Sequence, residues 1–100
     1  MPTYQLPQFD ALGDPTRRAV LERLLAGPLP VGEIARDLPV SRPAISQHLR
    51  VLKRAKLVVD RPAGTRRLYQ LDPEGFDAIR HYCDRFRTQA LDAVARGSGL

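Results

Sequence analysis

A chain of 100 residues, 43% hydrophobic, with no Trp and one cysteine, is too short for several domains and has no disulfide framework. It also lacks the run of roughly 20 apolar residues that a membrane span requires. Its net charge of +5 is segregated: residues 41–70 carry eight basic side chains against Asp60 alone, while residues 1–40 and 71–100 each carry four basic and five acidic ones. A basic block of this kind concentrates a polyanion and gains from counterion release, where scattered lysines mainly aid solubility.

In chain order, residues 8–12 make a short helix closed by Gly13. Asp14-Pro15 then opens a helix to Ala26, because an aspartate caps free amides and proline at the first helical position needs no donor. Val20, Leu21, Leu24 and Leu25 form its buried stripe, and Gly27-Pro28 ends it as a left-handed cap and a breaker. Val31 to Leu38 is a third helix with Ile34, Ala35 and Leu38 inward. After a tight turn at Pro39-Val40, Ser41 caps a fourth helix that carries Pro43 in its first turn. Two short helices joined by such a turn form a helix-turn-helix unit.

Residues 41–56 are the most informative stretch. Ile45, Leu49 and Leu52 recur at i, i+4, i+7, so one side of this helix lies on a core. The other side carries Ser, Gln, His, Arg and Lys, the groups that bond to phosphates and base edges, and the major groove is its natural seat. Arg42, Ala44, Ser46, Gln47 and Arg50 face that groove. Gln47 suits adenine, Arg42 suits guanine and Ala44 suits a thymine methyl, each paired bond discriminating by about 1–3 kcal/mol. Lys53 and Arg54 suit backbone phosphate. His48 either contacts DNA or buttresses a neighbouring helix, and Arg17 and Arg18 are either phosphate contacts or solvated.

Past Lys56 the period changes from helical to alternating. Residues 57–61 and 66–71 predict two strands, with Pro62-Ala63-Gly64-Thr65 as the turn. Arg61, Arg66 and Arg67 surround the tip of this hairpin, a "wing", and alternation splits them between its faces. Asp72-Pro73 opens a final helix, from about 73 to 95. Phe76, Ile79, Cys83, Phe86 and Ala90 recur along it at 3, 4, 3, 4, and Tyr82, Leu91 and Val94 widen the stripe. That seam exceeds what a small core needs and predicts pairing with a second copy, aided by Tyr4, Leu6 and Phe9 from the amino end. The expected architecture is one domain over residues 1–100, mainly α with a small β-hairpin: a winged helix-turn-helix of about five helices and a two-stranded wing.

Chemistry other than binding finds little support. Ser46 and His48, two apart on one helix, do not face each other and make no nucleophile–base pair. His48 and His81 are the two histidines, and no glycine-rich phosphate loop is present. The chain is therefore expected not to be an enzyme and to need no cofactor. Asp77, His81 and Asp84 share a helical face and make a weak local metal trio. Cys83, on the apolar side of its helix, is expected to be a buried and inert thiol and only weakly a redox sensor. A winged helix that binds protein is the main rival to one that binds DNA, and it should lack the clustered charge. The lone thiol and the absence of a secretory leader predict a cytoplasmic location.

These motifs resemble the ArsR family of bacterial winged-helix repressors. The resemblance is carried by residues 11–18 (Ala-Leu-Gly-Asp-Pro-Thr-Arg-Arg) with Leu21 and Leu24, by Glu33-Ile34-Ala35, and by residues 41–49 with Leu52. Leu57-Val58 and residues 64–71 continue it, so that it spans about residues 9 to 76. It implies a homodimeric transcriptional repressor on a palindromic operator of double-stranded DNA, often the repressor's own. The family's metal sites do not carry over. The arsenic-sensing cysteine positions fall on Pro30 and Gly32. The zinc-sensing pattern, begun at Asp77, falls on Ile79, Ala90 and Ala93. The resemblance therefore points to a branch that binds no metal. Lys56 stands where the family usually has glycine, so the helix either runs on or takes a strained left-handed end.

Overall fold

The computed structural model describes residues 6–97. The element order is α1 (Pro7–Leu12), α2 (Pro15–Arg23), a 3-10 turn (Leu24–Ala26), β1 (Leu29–Pro30), α3 (Val31–Ala35), α4 (Arg42–Arg54), β2 (Val58–Ala63), β3 (Arg66–Leu71) and α5 (Pro73–Ala95). This is a winged helix-turn-helix. Its helix starts obey local chemistry. The Asp14 carboxylate accepts the amides of Thr16 and Arg17 at 2.8 and 3.1 Å, Ser41 Oγ accepts that of Ala44 at 3.3 Å, and Asp72 accepts that of Glu74 at 2.9 Å. Each helix then has proline in its first two positions, where no donor is missed.

The core joins Val20, Ile34, Ile45, Leu49, Leu52, Leu57 and Val58, all fully buried. Three of these belong to α4, and burying them contributes on the order of 5–9 kcal/mol before entropy is counted. The inner face of α4 thus fixes the helix, and its outer face is free to carry function. The carbonyls left at its end are satisfied by two other helices. Gln8 of α1 donates to the Ala55 carbonyl at 2.7 Å, and the Gly75 amide of α5 donates to that of Lys56 at 2.8 Å.

Several elements differ from expectation. The third helix ends at Ala35 instead of Leu38, and Asp37 in the following turn takes φ 68°, a conformation short polar side chains tolerate. The wing is part of a three-stranded antiparallel sheet of order β1-β3-β2, because Leu29 and Pro30 pair with Tyr69 and Leu68. Its turn is two residues, not four: Ala63 opposes Arg66, and Gly64 at φ 65° opens the loop. Pro62 is tolerated because β2 is an edge strand. Gly27 has positive φ, at 125°, but ψ of −176° makes it extended instead of a left-handed cap. Leu25 is not in the core. The chain tightens into a 3-10 turn at Leu24, which swings Leu25 out to 75% exposure on the rim of an apolar groove with Leu21, Leu71 and Phe76.

The stripe on α5 divides. Phe76 and Ile79 pack against the core of their own domain. Beyond them the helix leaves the body, in a molecule 58 Å long and 25 Å across. Tyr82 stays half-buried between Phe9, which it meets edge-on, and Phe86, which it meets at a tilt, at centroid distances of 5.1 and 5.0 Å. Cys83 is exposed and not buried as expected, because the body ends before it. Phe86, Ala90, Leu91 and Val94 are exposed as well. Leu6 is half-buried, while Tyr4 lies outside the described residues.

Candidate nucleic-acid interface

The outer face of α4 presents Arg42, Gln47, Arg50, Lys53 and Arg54 to solvent, with Ser41 at its start. Ala44, Ser46 and His48 are half-buried at the edges of that face. Gln47 and Arg50 are one turn apart and already joined, Arg50 Nη1 donating to Gln47 Oε1 at 2.8 Å. That bond orients two polar groups toward the same patch. The Arg42 guanidinium lies over Gly32 at the amino end of α3 and borders a cleft of about 490 Å³ that reaches the wing at residues 65–67.

His48 buttresses a neighbour. Its Nδ1 accepts from Arg17 Nη1 at 3.3 Å, which leaves the ring proton on Nε2. Arg17 is not a solvated residue, and neither is it free for phosphate. Its side chain is 18% exposed, and its guanidinium also donates to the carbonyls of Ala11 at 2.8 Å and Asp10 at 3.2 Å. Arg18 donates to that of Leu12 at 2.7 Å. The two arginines thus cap the carboxyl end of α1, a role that periodicity alone does not show.

The wing arginines separate as alternation requires. Arg61 opposes Leu68 and shares a face with Arg66, while Arg67 shares the other face with Asp60 and Tyr69. Asp60 organises that second face. Lys53 Nζ lies 2.8 Å from its Oδ1, Arg67 Nε lies 2.7 Å from its Oδ2, and the aspartate side chain is 6% exposed. The hydrogen bond from Lys53, then that from Arg67, holds the Asp60 carboxyl below its ordinary range. Above it, Ser46, Leu49, Arg50 and Tyr69 line a cleft of about 300 Å³ between α4 and the wing. The lone acidic residue of the basic block is therefore its centre, which composition alone did not reveal.

Among the described residues, no three His, Cys, Asp or Glu side chains are placed to share a metal ion. Asp77, His81 and Asp84 are all exposed, and Asp77 lies 3.9 Å from Arg80. No helix among these residues is long and apolar enough to cross a membrane.

A helix set on a core with its hydrogen-bonding face outward, flanked by a basic hairpin, defines a winged-helix DNA-binding domain. A family model described as a helix-turn-helix domain matches residues 12–61. The chain is 64% identical over 98 residues to the HTH-type transcriptional regulator Rv2034 of Mycobacterium tuberculosis, covering 96% of this chain and 92% of that protein. It is 41% identical over 64 residues to the transcriptional repressor SdpR of Bacillus subtilis, covering 64% and 71%. Among solved structures, an ArsR family transcriptional regulator superposes with a TM-score of 0.76 at 31% identity, covering 83% of this chain and 86% of that one. The chain belongs to the ArsR family of winged-helix transcriptional regulators. It is a DNA-binding regulator and not an enzyme.

Proposed function

We propose that this regulator is a homodimeric repressor that sets two α4 helices into successive major grooves of a two-fold symmetric operator, its own promoter being the first candidate. The observation that carries the reading is one of placement. The chain that presents a cationic α4 face also leaves Phe86, Leu91 and Val94 at 53–68% exposure on the far part of α5. A contiguous apolar band on a charged domain favours a partner, and a second copy turns one short recognition helix into a site long enough to be unique. In this reading Phe9, Tyr82, Cys83, Phe86, Ala90 and Leu91 meet their symmetry mates, while Phe76 and Ile79 support them from the core side. The helix over residues 73–95 and the amino-terminal segment are then the dimerisation element of one domain.

At the DNA, Arg42, Ala44, Gln47 and Arg50 meet base edges, with Ser41, Ser46 and Arg54 on the flanking phosphates. Arg61 and Arg66 reach the backbone or the minor groove beside the site. His48 acts through Arg17, and Lys53 and Arg67 line the junction of helix and wing. A role in protein binding alone would leave the clustered charge without purpose. Release from DNA through a metal at Asp77, His81 and Asp84 lacks a converged ligand set. The test is sedimentation velocity with fluorescence anisotropy on fragments of the protein's own promoter. Wild-type protein is expected to sediment as a dimer and to bind. Phe86→Asp is expected to yield monomers that have lost operator binding, and a dimeric Phe86→Asp protein would overturn the reading.

A further inference from the structure

We propose that Asp60 is a positioning residue that clasps the wing to the recognition helix and withholds Lys53 and Arg67 from non-specific phosphate contact. The proposal rests on the DNA-binding reading and adds a determinant of specificity to it. Asp60 is the single acid among eight bases in residues 41–70, and its side chain is 6% exposed. A carboxylate buried beside a surface meant for a polyanion is costly unless something specific offsets it. Here each oxygen takes one cation, and the two cations come from different elements. Lys53 comes from α4, and Arg67 lies on β3, opposite Pro62 and two residues along from the partner of Asp60. Among the described residues, Lys53–Asp60 is the side-chain polar link between α4 and the hairpin. Together with the shared core of Leu49, Leu52 and Val58, it holds the angle between the two DNA-contacting elements.

The charge consequence follows from counterion release. A cation already paired with a carboxylate frees little counterion when a phosphate arrives, so it adds little to non-specific affinity. Arg42, Arg54, Lys56, Arg61 and Arg66 have no acidic partner among the described residues, and Arg50 is bonded to a neutral amide. Six cations thus remain without a carboxylate partner and free to meet DNA, at base edges or at phosphates. Two are held in register, where they favour one helix–wing geometry and hence one operator shape.

The test uses full-length protein, Asp60→Asn, Lys53→Gln and the double variant. Each is titrated by anisotropy against a mixed-sequence duplex and against an operator duplex selected by the wild-type protein, across a salt series. Asp60→Asn is expected to bind the mixed duplex more tightly, to steepen its log–log salt slope by about 1 to 2, and to lower the operator-to-mixed ratio about tenfold. Lys53→Gln should change the wild-type slope by less than half of one phosphate contact, and flatten the Asp60→Asn slope by about 0.9. A Lys53→Gln variant that flattens the wild-type slope by about 0.9, or an Asp60→Asn slope equal to wild type, overturns the proposal. Should Asp60→Asn fail to fold, Lys53→Gln alone still decides, since its side chain is 55% exposed. Wild-type protein that binds neither duplex at low salt would instead overturn the DNA-binding reading, and with it this one.

Discussion

The amide of Gly75 donates to the carbonyl of Lys56 at 2.8 Å, pinning the start of α5 to the end of the recognition helix. Sliding of one helix end past the other would break this bond, so it couples the proposed dimer element to the DNA-reading element. A Cβ added at Gly75 would lie 2.5 Å from the Lys56 oxygen and 2.8 Å from that of Ala55, both backbone atoms that cannot swing aside. Gly75→Ala is therefore expected to destabilise the domain by about 1–3 kcal/mol. In thermal unfolding this lowers the midpoint by about 4–8 °C for each kcal/mol. An unchanged midpoint would show that the joint is loose.

Lys56 itself sits at φ 62°, a left-handed conformation in which a side chain is strained. Lys56→Gly should relieve the strain and stabilise the fold by about 0.5–1 kcal/mol, the gain being reduced by the freer unfolded chain. Chemical denaturation checks the sign. The same change removes one exposed cation, so DNA affinity should weaken slightly at low salt while stability rises.

Arg17 connects three elements: it caps α1, follows the start of α2 and holds His48 of α4. Its bonds depend on the planar fork of a guanidinium, which an ammonium does not reproduce. Arg17→Lys and Arg17→Ala are both expected to cost about 1–3 kcal/mol in denaturant unfolding, and Arg18→Ala, whose bond is exposed, less. Rescue by lysine would contradict this account of His48.

The Asp60 carboxyl is held below its ordinary value near 3.8, first by the hydrogen bond from Lys53 and then by that from Arg67. The unfolded chain therefore binds this proton more tightly than the folded one. The stability Asp60 adds is complete above about pH 5 and is lost as pH falls through the folded value. The difference in melting midpoint between wild type and Asp60→Asn should be constant at neutral pH and shrink toward pH 3. A difference independent of pH would mean that the carboxylate charge is not what stabilises the clasp.

Much of this was legible in the sequence because the deciding interactions are local. Asp14-Pro15, Ser41 with Pro43, and Asp72-Pro73 cap their helices with atoms two or three residues away, and Ile45, Leu49 and Leu52 share a face by periodicity alone. What escaped was set by partners distant in sequence. Leu29-Pro30 is a strand only because Tyr69 and Leu68 arrive beside it. Leu25 has the spacing of a core residue but is turned outward by the 3-10 tightening. Gly75 is needed only because Lys56 ends close against it, and Asp60 stands alone in the sequence yet lies between a helix and a strand in space.

The central claim is that two copies dock their α4 helices one turn of duplex apart. Hydroxyl-radical footprinting of wild-type protein on an operator selected from its own genome tests it most directly. The account predicts two symmetric protected segments centred about 10 base pairs apart, with flanking wing protections. A single protected segment, or a duplex cut evenly along its length, would contradict it.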